Sequence, residues 1–198
     1  LGEVLLKHPH VHILTDDIYE KIIYDGIKFT SFASAIPELK HRTLTLNGVS
    51  KAYCMTGWRL GYCGGPKEII AGMNKIQSQS TTSTSSISMA ASVEALNGKQ
   101  SFIEENNIQF KKRRDMVVER LNDIEGITCS LPSGAFYVYP SCSGIMGKKT
   151  KSGQIIDSDE KFMNYLLESE GVAGVQGEAF GLSPYFRLSY ATSEKILK

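Results

Sequence analysis

The sequence predicts an α/β fold, with an open, mostly parallel sheet domain over residues 1–95 followed by a smaller α+β domain over 96–198. Three features carry this reading. Short apolar, β-branched runs end in polar or glycine residues, as at Val11–Leu14 before Thr15-Asp16-Asp17 and at Thr43–Leu46 before Asn47-Gly48. Helical patterns alternate with these runs. After one long helical pattern, strand-like pieces resume at Phe136–Tyr139 and Tyr185–Ser189.

Taken in chain order, Leu1–Lys7 reads as the end of an amphipathic helix, ahead of the strand at Val11–Leu14. The second strand, Thr43–Leu46, is followed by a third strand-like segment, Trp58–Tyr62, and the turn Gly64-Gly65-Pro66. Pro66 suits the first turn of a helix through Ile69, Ile70, Met73 and Ile76. Ser78–Ser88 is almost wholly Ser and Thr, which by composition is a flexible linker, yet a helical pattern resumes at once with Ile87, Met89 and Val93. Ile103, Phe110, Val117 and Leu121 mark one face of a helix over Phe102–Leu121, closed by Glu125-Gly126. A further helix is expected from about Asp157 to Ser169, and Ser193–Lys198 begins another apolar–charged pattern. A chain that opens without an initiator methionine and stops within such a pattern is expected to be a fragment at both ends.

The 198 residues carry 22 basic and 21 acidic side chains and are 41% hydrophobic. Near-neutral charge gives no reason to expect a nucleic acid or an anionic membrane as partner. The basic run Lys111–Arg114 is read as a solvated helix face. No apolar run approaches spanning length and no secretory leader opens the chain. The cysteines at 54, 63, 129 and 142 lack paired metal-site spacing, so no metal is expected; they suit reduced thiols of a cytoplasmic protein.

The chemistry gathers around strand ends, where open α/β sheets bind ligands. Lys51 follows the second strand in Asn47-Gly48-Val49-Ser50-Lys51, and a cleft lysine of lowered pKa forms Schiff bases with aldehydes. Arg59 stands in Thr56-Gly57-Trp58-Arg59-Leu60-Gly61, where its planar fork suits a phosphate and flanking glycines admit close backbone approach. Ser50 offers a hydroxyl to the same group. Asp16 and Tyr19 lie in Asp16-Asp17-Ile18-Tyr19. A carboxylate beside a pyridine nitrogen keeps it protonated, shifting its pKa by roughly 1–3 units; the acids equally suit a helix amino terminus.

The block Ser50-Lys51-Ala52-Tyr53-Cys54-Met55-Thr56-Gly57-Trp58-Arg59-Leu60-Gly61-Tyr62 resembles the cofactor-lysine signature of the class I pyridoxal-phosphate-dependent aminotransferases. More narrowly, it resembles the bacterial aspartate aminotransferase group, some of whose members also act on prephenate. Asp16-Asp17-Ile18-Tyr19-Glu20, Pro132-Ser133-Gly134-Ala135-Phe136-Tyr137 and Phe186-Arg187-Leu188-Ser189-Tyr190-Ala191 match further family blocks in order. The resemblance implies the carboxyl-terminal half of such an enzyme, with residues 1–95 the end of the cofactor-binding large domain. It implies that Lys51 holds pyridoxal 5'-phosphate and shuttles a proton, that Asp16 pairs with the ring nitrogen, and that Tyr19 hydrogen-bonds the ring oxygen. Ser50 and Arg59 would hold the phosphate, and Arg187 the substrate α-carboxylate. The substrates implied are an amino acid, first aspartate, and a 2-oxo acid, in a ping-pong transfer by a homodimer when full length.

Family members are about twice this long, and their amino-terminal half supplies a phosphate loop, a stacked aromatic ring and the groups that choose the substrate's distal end. This polypeptide alone is therefore expected to bind cofactor weakly and not to transaminate. Two other readings remain open at this point. One keeps fold and cofactor for carbon–sulfur β-elimination; the other is an aminotransferase-like sensor domain of a transcription regulator with a winged-helix domain upstream.

Overall fold

The structure, a computed structural model, describes residues 1–198 and divides into two compact units, Leu1–Glu105 and Asn106–Lys198. In the first, helix α1 (Gly2–Leu6) precedes strand β1 (Ile13–Asp16), two residues further along than the sequence pattern marks it. Strand β2 (Thr43–Gly48) pairs with β1 in parallel, Ile13 opposite Thr43 and Asp16 opposite Leu46. Strand β3 (Gly61–Gly64) returns antiparallel, with Gly48 opposite Gly61. Within this chain the sheet is therefore mixed, in the order β1-β2-β3. The return to β3 needs only a loop, whereas the parallel step from β1 to β2 requires a crossover. That crossover contains helix α2 (Phe32–Ala35) and a 3-10 turn, Pro37–Arg42, and it buries Ile22, Tyr24 and Leu39.

Arg42 is buried, and its guanidinium donates to the carbonyls of Leu5 (2.6 Å), His8 (2.9 Å) and Val11. The charge is thus solvated by backbone oxygens, which ties the segment from α1 to β1 onto the start of β2.

Trp58 does not open a strand. Thr56–Trp58 forms a 3-10 turn and Arg59 adopts a left-handed conformation (φ 53°), so the strand starts only at Gly61. Helix α3 (Lys67–Ser80) then starts after Pro66, whose missing N–H costs nothing at a helix entry. The Ser/Thr stretch is mostly ordered structure rather than a linker. Its first residues end α3, a short turn with Thr82 at φ 65° follows, and Ser86 starts helix α4 (Ser86–Asn97).

Helix α5 (Ser101–Asn122) begins in the first unit and runs into the second. Its basic run departs from the solvated face that composition suggests. Lys112 is exposed and pairs with Glu194, but Arg114 is only 1% exposed. Arg114 donates to the Pro132 carbonyl (2.8 Å) and to Asp115 (2.8 Å), because residue 114 falls on the same buried stripe as Val118 and Leu121. The second unit packs Val118, Leu121, Val138, Cys142, Phe162, Met163, Phe186 and Tyr190 into one core. Its sheet runs β4 (Tyr137–Val138), β6 (Phe186–Ser189), β5 (Val175–Gln176), with β6 central and both pairings antiparallel. Helix α6 (Asp159–Glu170) is capped by the Ser158 hydroxyl at the Lys161 N–H and closed by Gly171 at φ 68°. A last turn of helix, α7 (Glu194–Leu197), ends the described chain. No helix is long and apolar enough to cross a membrane.

All four cysteines are free, and Cys129 and Cys142 are buried. Burial, then the nearby Asp159 charge, pushes the Cys142 thiol up from 9.0 to about 11. The folded state therefore favours the neutral thiol. Its stabilising contribution is complete below pH 9 and is lost as pH rises to about 11. Denaturant unfolding across that window should show this loss, up to about 3 kcal/mol, and Cys142→Ala should flatten the profile. In the same assay at neutral pH, Arg114→Ala should cost about 2–4 kcal/mol through its lost charged hydrogen bonds, and Lys112→Ala less than about 0.5 kcal/mol.

Candidate active site

The carboxyl ends of β1 and β2 lie at the same edge of the sheet, since the strands are parallel and Asp16 is level with Leu46. The Asp17 N–H extends the pairing by donating to the Leu46 carbonyl (2.9 Å). Beyond that point the chain turns, with Glu20 and Ile22 N–H groups bonded to the Asp17 and Tyr19 carbonyls. Asp16 is thus the last residue of a strand and not a helix cap. The two acids differ in environment. Alternation along β1 leaves the Asp16 carboxylate exposed, on the same face as exposed Leu14, with only the Ile18 N–H nearby (3.4 Å) and no ion pair. Asp17 turns inward, and burial raises its pKa.

Gly48 is where the segments meet. A Cβ there would lie 3.1 Å from the Leu60 carbonyl oxygen, 3.3 Å from the Gly61 Cα and 3.3 Å from Ile18 Cδ1. The turn carrying Asp16 and Tyr19 and the return carrying Arg59 therefore both press on the residue two positions before Ser50. Only glycine permits that approach without moving backbone.

The loop that follows is anchored on either side of its lysine. Val49, Ala52 and Tyr53 are buried, whereas Ser50 and Lys51 are only partly so. The Tyr53 hydroxyl donates to Gln100 Oε1 (3.0 Å), and the Gln100 amide nitrogen donates in turn to the carbonyls of Ala95 (2.8 Å) and Gly98 (2.9 Å). Cys54 closes the loop by donating its N–H to the Lys51 carbonyl (3.1 Å). Lys51 is thereby held on a short, pinned arc.

Arg59 is exposed at the edge of the same convergence. Its Nη1 donates to the Thr56 carbonyl (2.8 Å) in its own turn, and no carboxylate neutralises it. Arg59 lines a cavity of about 490 Å3 together with Trp58, Gln77, Thr81, Ser83, Thr84 and Ser88 among others. The sequence gives little sign of this lining: Trp58 reads as the start of a strand, and the Ser/Thr stretch has a linker's composition. A guanidinium without a carboxylate, beside clustered hydroxyls, is the donor set of an anion site.

Arg187 belongs to the second unit, on β6. It makes no hydrogen bond or ion pair; its Cζ lies 4.6 Å from the centroid of the Tyr137 ring and 4.6 Å from that of Phe180. Tyr137 lies in one of the family-like sequence blocks, whereas nothing in the sequence marks Phe180, which reaches Arg187 from a separate turn.

All 198 residues match a family model described as "Aminotransferase class I and II". The chain belongs to that aminotransferase family. Its members depend on pyridoxal phosphate. An aspartate aminotransferase of Rhizobium meliloti (strain 1021) is 59% identical over the whole chain, which covers 48% of that relative. A probable aspartate/prephenate aminotransferase of Rhizobium leguminosarum bv. phaseoli is 56% identical, again over the whole chain and 50% of the relative. A crystal structure of the aspartate aminotransferase from Rhizobium meliloti superposes with a TM-score of 0.95 at 58% identity, over 98% of this chain and 49% of that one. The chain thus spans about half the length of the curated relatives it matches. Neither the lyase nor the regulator reading gains support from these aminotransferases.

The residues of the first unit fit pyridoxal phosphate. Gly48 keeps open a backbone crossing that a Cβ would crowd, and the segments that converge there carry an amine, a hydroxyl, a guanidinium without a carboxylate partner and a carboxylate without a cation. Gly48→Ala should force β2 and β3 apart at their ends. The expected result is a stability loss of about 1–3 kcal/mol by thermal unfolding, together with weaker cofactor uptake measured by absorbance.

Proposed function

We propose that this chain is the carboxyl-terminal portion of a transaminase that moves an amino group from an amino acid, first aspartate, to a 2-oxo acid. The observation that carries the reading is the convergence on Gly48 of the segments bearing Asp16, Ser50, Lys51 and Arg59. Residues 1–95 would then be the end of a mostly parallel, cofactor-binding large domain, and 96–198 a smaller domain.

When bound, pyridoxal phosphate supplies an electron sink for the charge left at the substrate Cα once its proton departs. The chain's own residues do the rest. Lys51 Nζ would hold the cofactor in the resting state and, once displaced by the amino acid, would act as the base that takes the substrate Cα proton and the acid that gives it back. The Asp16 carboxylate keeps the ring nitrogen protonated by charge pairing. The Tyr19 hydroxyl donates to the ring oxygen. Ser50 and Arg59 would hold the phosphate, Arg59 through the planar fork of its guanidinium. Arg187 donates two N–H bonds to the α-carboxylate and so orients the Cα–H bond.

Prephenate is the alternative amino acceptor, as the names of several relatives contain it. The exposed apolar side chains Ile76, Ile87 and Val93 on α3 and α4 suit coverage by the rest of the polypeptide or by a second subunit, in keeping with a homodimer. Four free thiols suit a reducing compartment, the cytoplasm.

In the full-length protein, Lys51→Ala should abolish both the near-visible band of the lysine-bound cofactor and nearly all turnover; normal transamination by that variant would refute the assignment. Arg59→Ala should weaken cofactor binding about 10- to 100-fold, the scale of one or two charged hydrogen bonds, with Arg59→Lys recovering only part. A spectrophotometric titration of each variant reads this directly.

A further inference from the structure

We propose that Tyr137 and Phe180 are positioning residues whose two rings clamp the Arg187 guanidinium, holding its N–H groups ready as a receptor for a planar carboxylate. The proposal rests on the assignment of Arg187 to substrate carboxylate.

The two rings reach Arg187 by unrelated routes. Tyr137 arrives through the sheet: it pairs with Ser189, two residues from Arg187 on the same face of β6, which makes it the diagonal neighbour of Arg187. Phe180 arrives from the 3-10 turn Gly177–Phe180. That turn is fixed from several directions. The Gly177 N–H donates to the Tyr185 carbonyl (2.7 Å), and a Cβ on Gly177 would lie 2.0 Å from the Leu182 carbonyl oxygen, so the turn closes only around glycine. The Tyr139 hydroxyl lies within reach of the Gly177 and Leu182 carbonyls (3.2 and 3.3 Å), and its ring meets Phe180 edge-on with centroids 5.9 Å apart.

Two aromatic rings thus lie with their centroids 4.6 Å from the guanidinium carbon, while none of the guanidinium N–H groups is bonded. The contrast with Arg114 is informative, because that arginine is held by acceptors that consume its donors. An arginine stabilised by ring faces keeps every donor for a ligand and yet loses the freedom of a long, flexible side chain before the ligand arrives. The clamp is therefore a preorganising device. It acts on affinity for the carboxylate and leaves the proton transfer at Lys51 alone.

The test uses the full-length protein loaded with cofactor and succinate, a non-reacting dicarboxylate, as calorimetric probe. Phe180→Leu and Tyr137→Leu, which replace a ring by an aliphatic group, should each weaken succinate binding about 3- to 30-fold, the range of one cation–π contact. They should raise KM for the amino acid with kcat within about twofold, as expected when binding common to ground and transition states is lost. Phe180→Tyr should restore parental binding, and in an Arg187→Ala background Phe180→Leu should add no further loss. The Arg187 Nε–H proton, shifted upfield by the two rings, should move downfield in Phe180→Leu. Parental affinity in both leucine variants, or equal loss in Phe180→Tyr, overturns the clamp. Unchanged succinate binding in Arg187→Ala alone instead overturns the carboxylate assignment beneath it.

Discussion

The first unit is organised by one steric constraint, the absence of a side chain at residue 48. The end of β2 must accept the Leu60–Gly61 backbone of β3 on one side and Ile18 from the turn after β1 on another, both within 3.3 Å of where a Cβ would stand. Because β1 and β2 are parallel, their carboxyl ends share an edge, and the short antiparallel return places β3 beside them. A side chain there would push the three segments apart by a few tenths of an ångström. These are the segments that carry Asp16, Ser50, Lys51 and Arg59.

The arginines separate into two kinds by what their donors do. Arg42 and Arg114 are buried and give their N–H groups to carbonyl or carboxylate oxygens, which is the condition for keeping such a charge inside a fold. Arg59 and Arg187 are more exposed, and neither pairs with an acid. Arg59 is held by one carbonyl in its own turn and by a left-handed backbone, a conformation that costs a non-glycine residue about 1–2 kcal/mol. Arg187 is held by aromatic rings. In both cases the protein has ordered the guanidinium without neutralising it, which is what recognition of an anion requires.

Much of this was legible in the sequence because the relevant signals are local. Apolar runs ending in Asp16-Asp17 and Asn47-Gly48 mark strands β1 and β2, and Pro66 marks the start of α3. The helix over α5 follows from its apolar spacing almost to the residue. What escaped was set by tertiary placement. The linker-like Ser78–Ser88 became mostly helix because Ser88 and Ser92 are buried, and the Ser92 hydroxyl bonds back to the Ser88 carbonyl, so that hydroxyls serve as packing atoms. Arg114 reads as one of four cations in a row, but the helical stripe it shares with Val118 and Leu121 takes it inward. Phe180 gave no signal at all, since a Gly177-dependent turn and the Tyr139 hydroxyl decide where it lies.

The most direct measurement of the central claim is reductive trapping in the full-length protein. After incubation with pyridoxal phosphate and treatment with borohydride, peptide mapping by mass spectrometry should find the phosphopyridoxyl group on Lys51, with the neighbouring Lys40 and Lys67 unmodified. A label fixed stoichiometrically on a different lysine, with Lys51 untouched, would contradict the account.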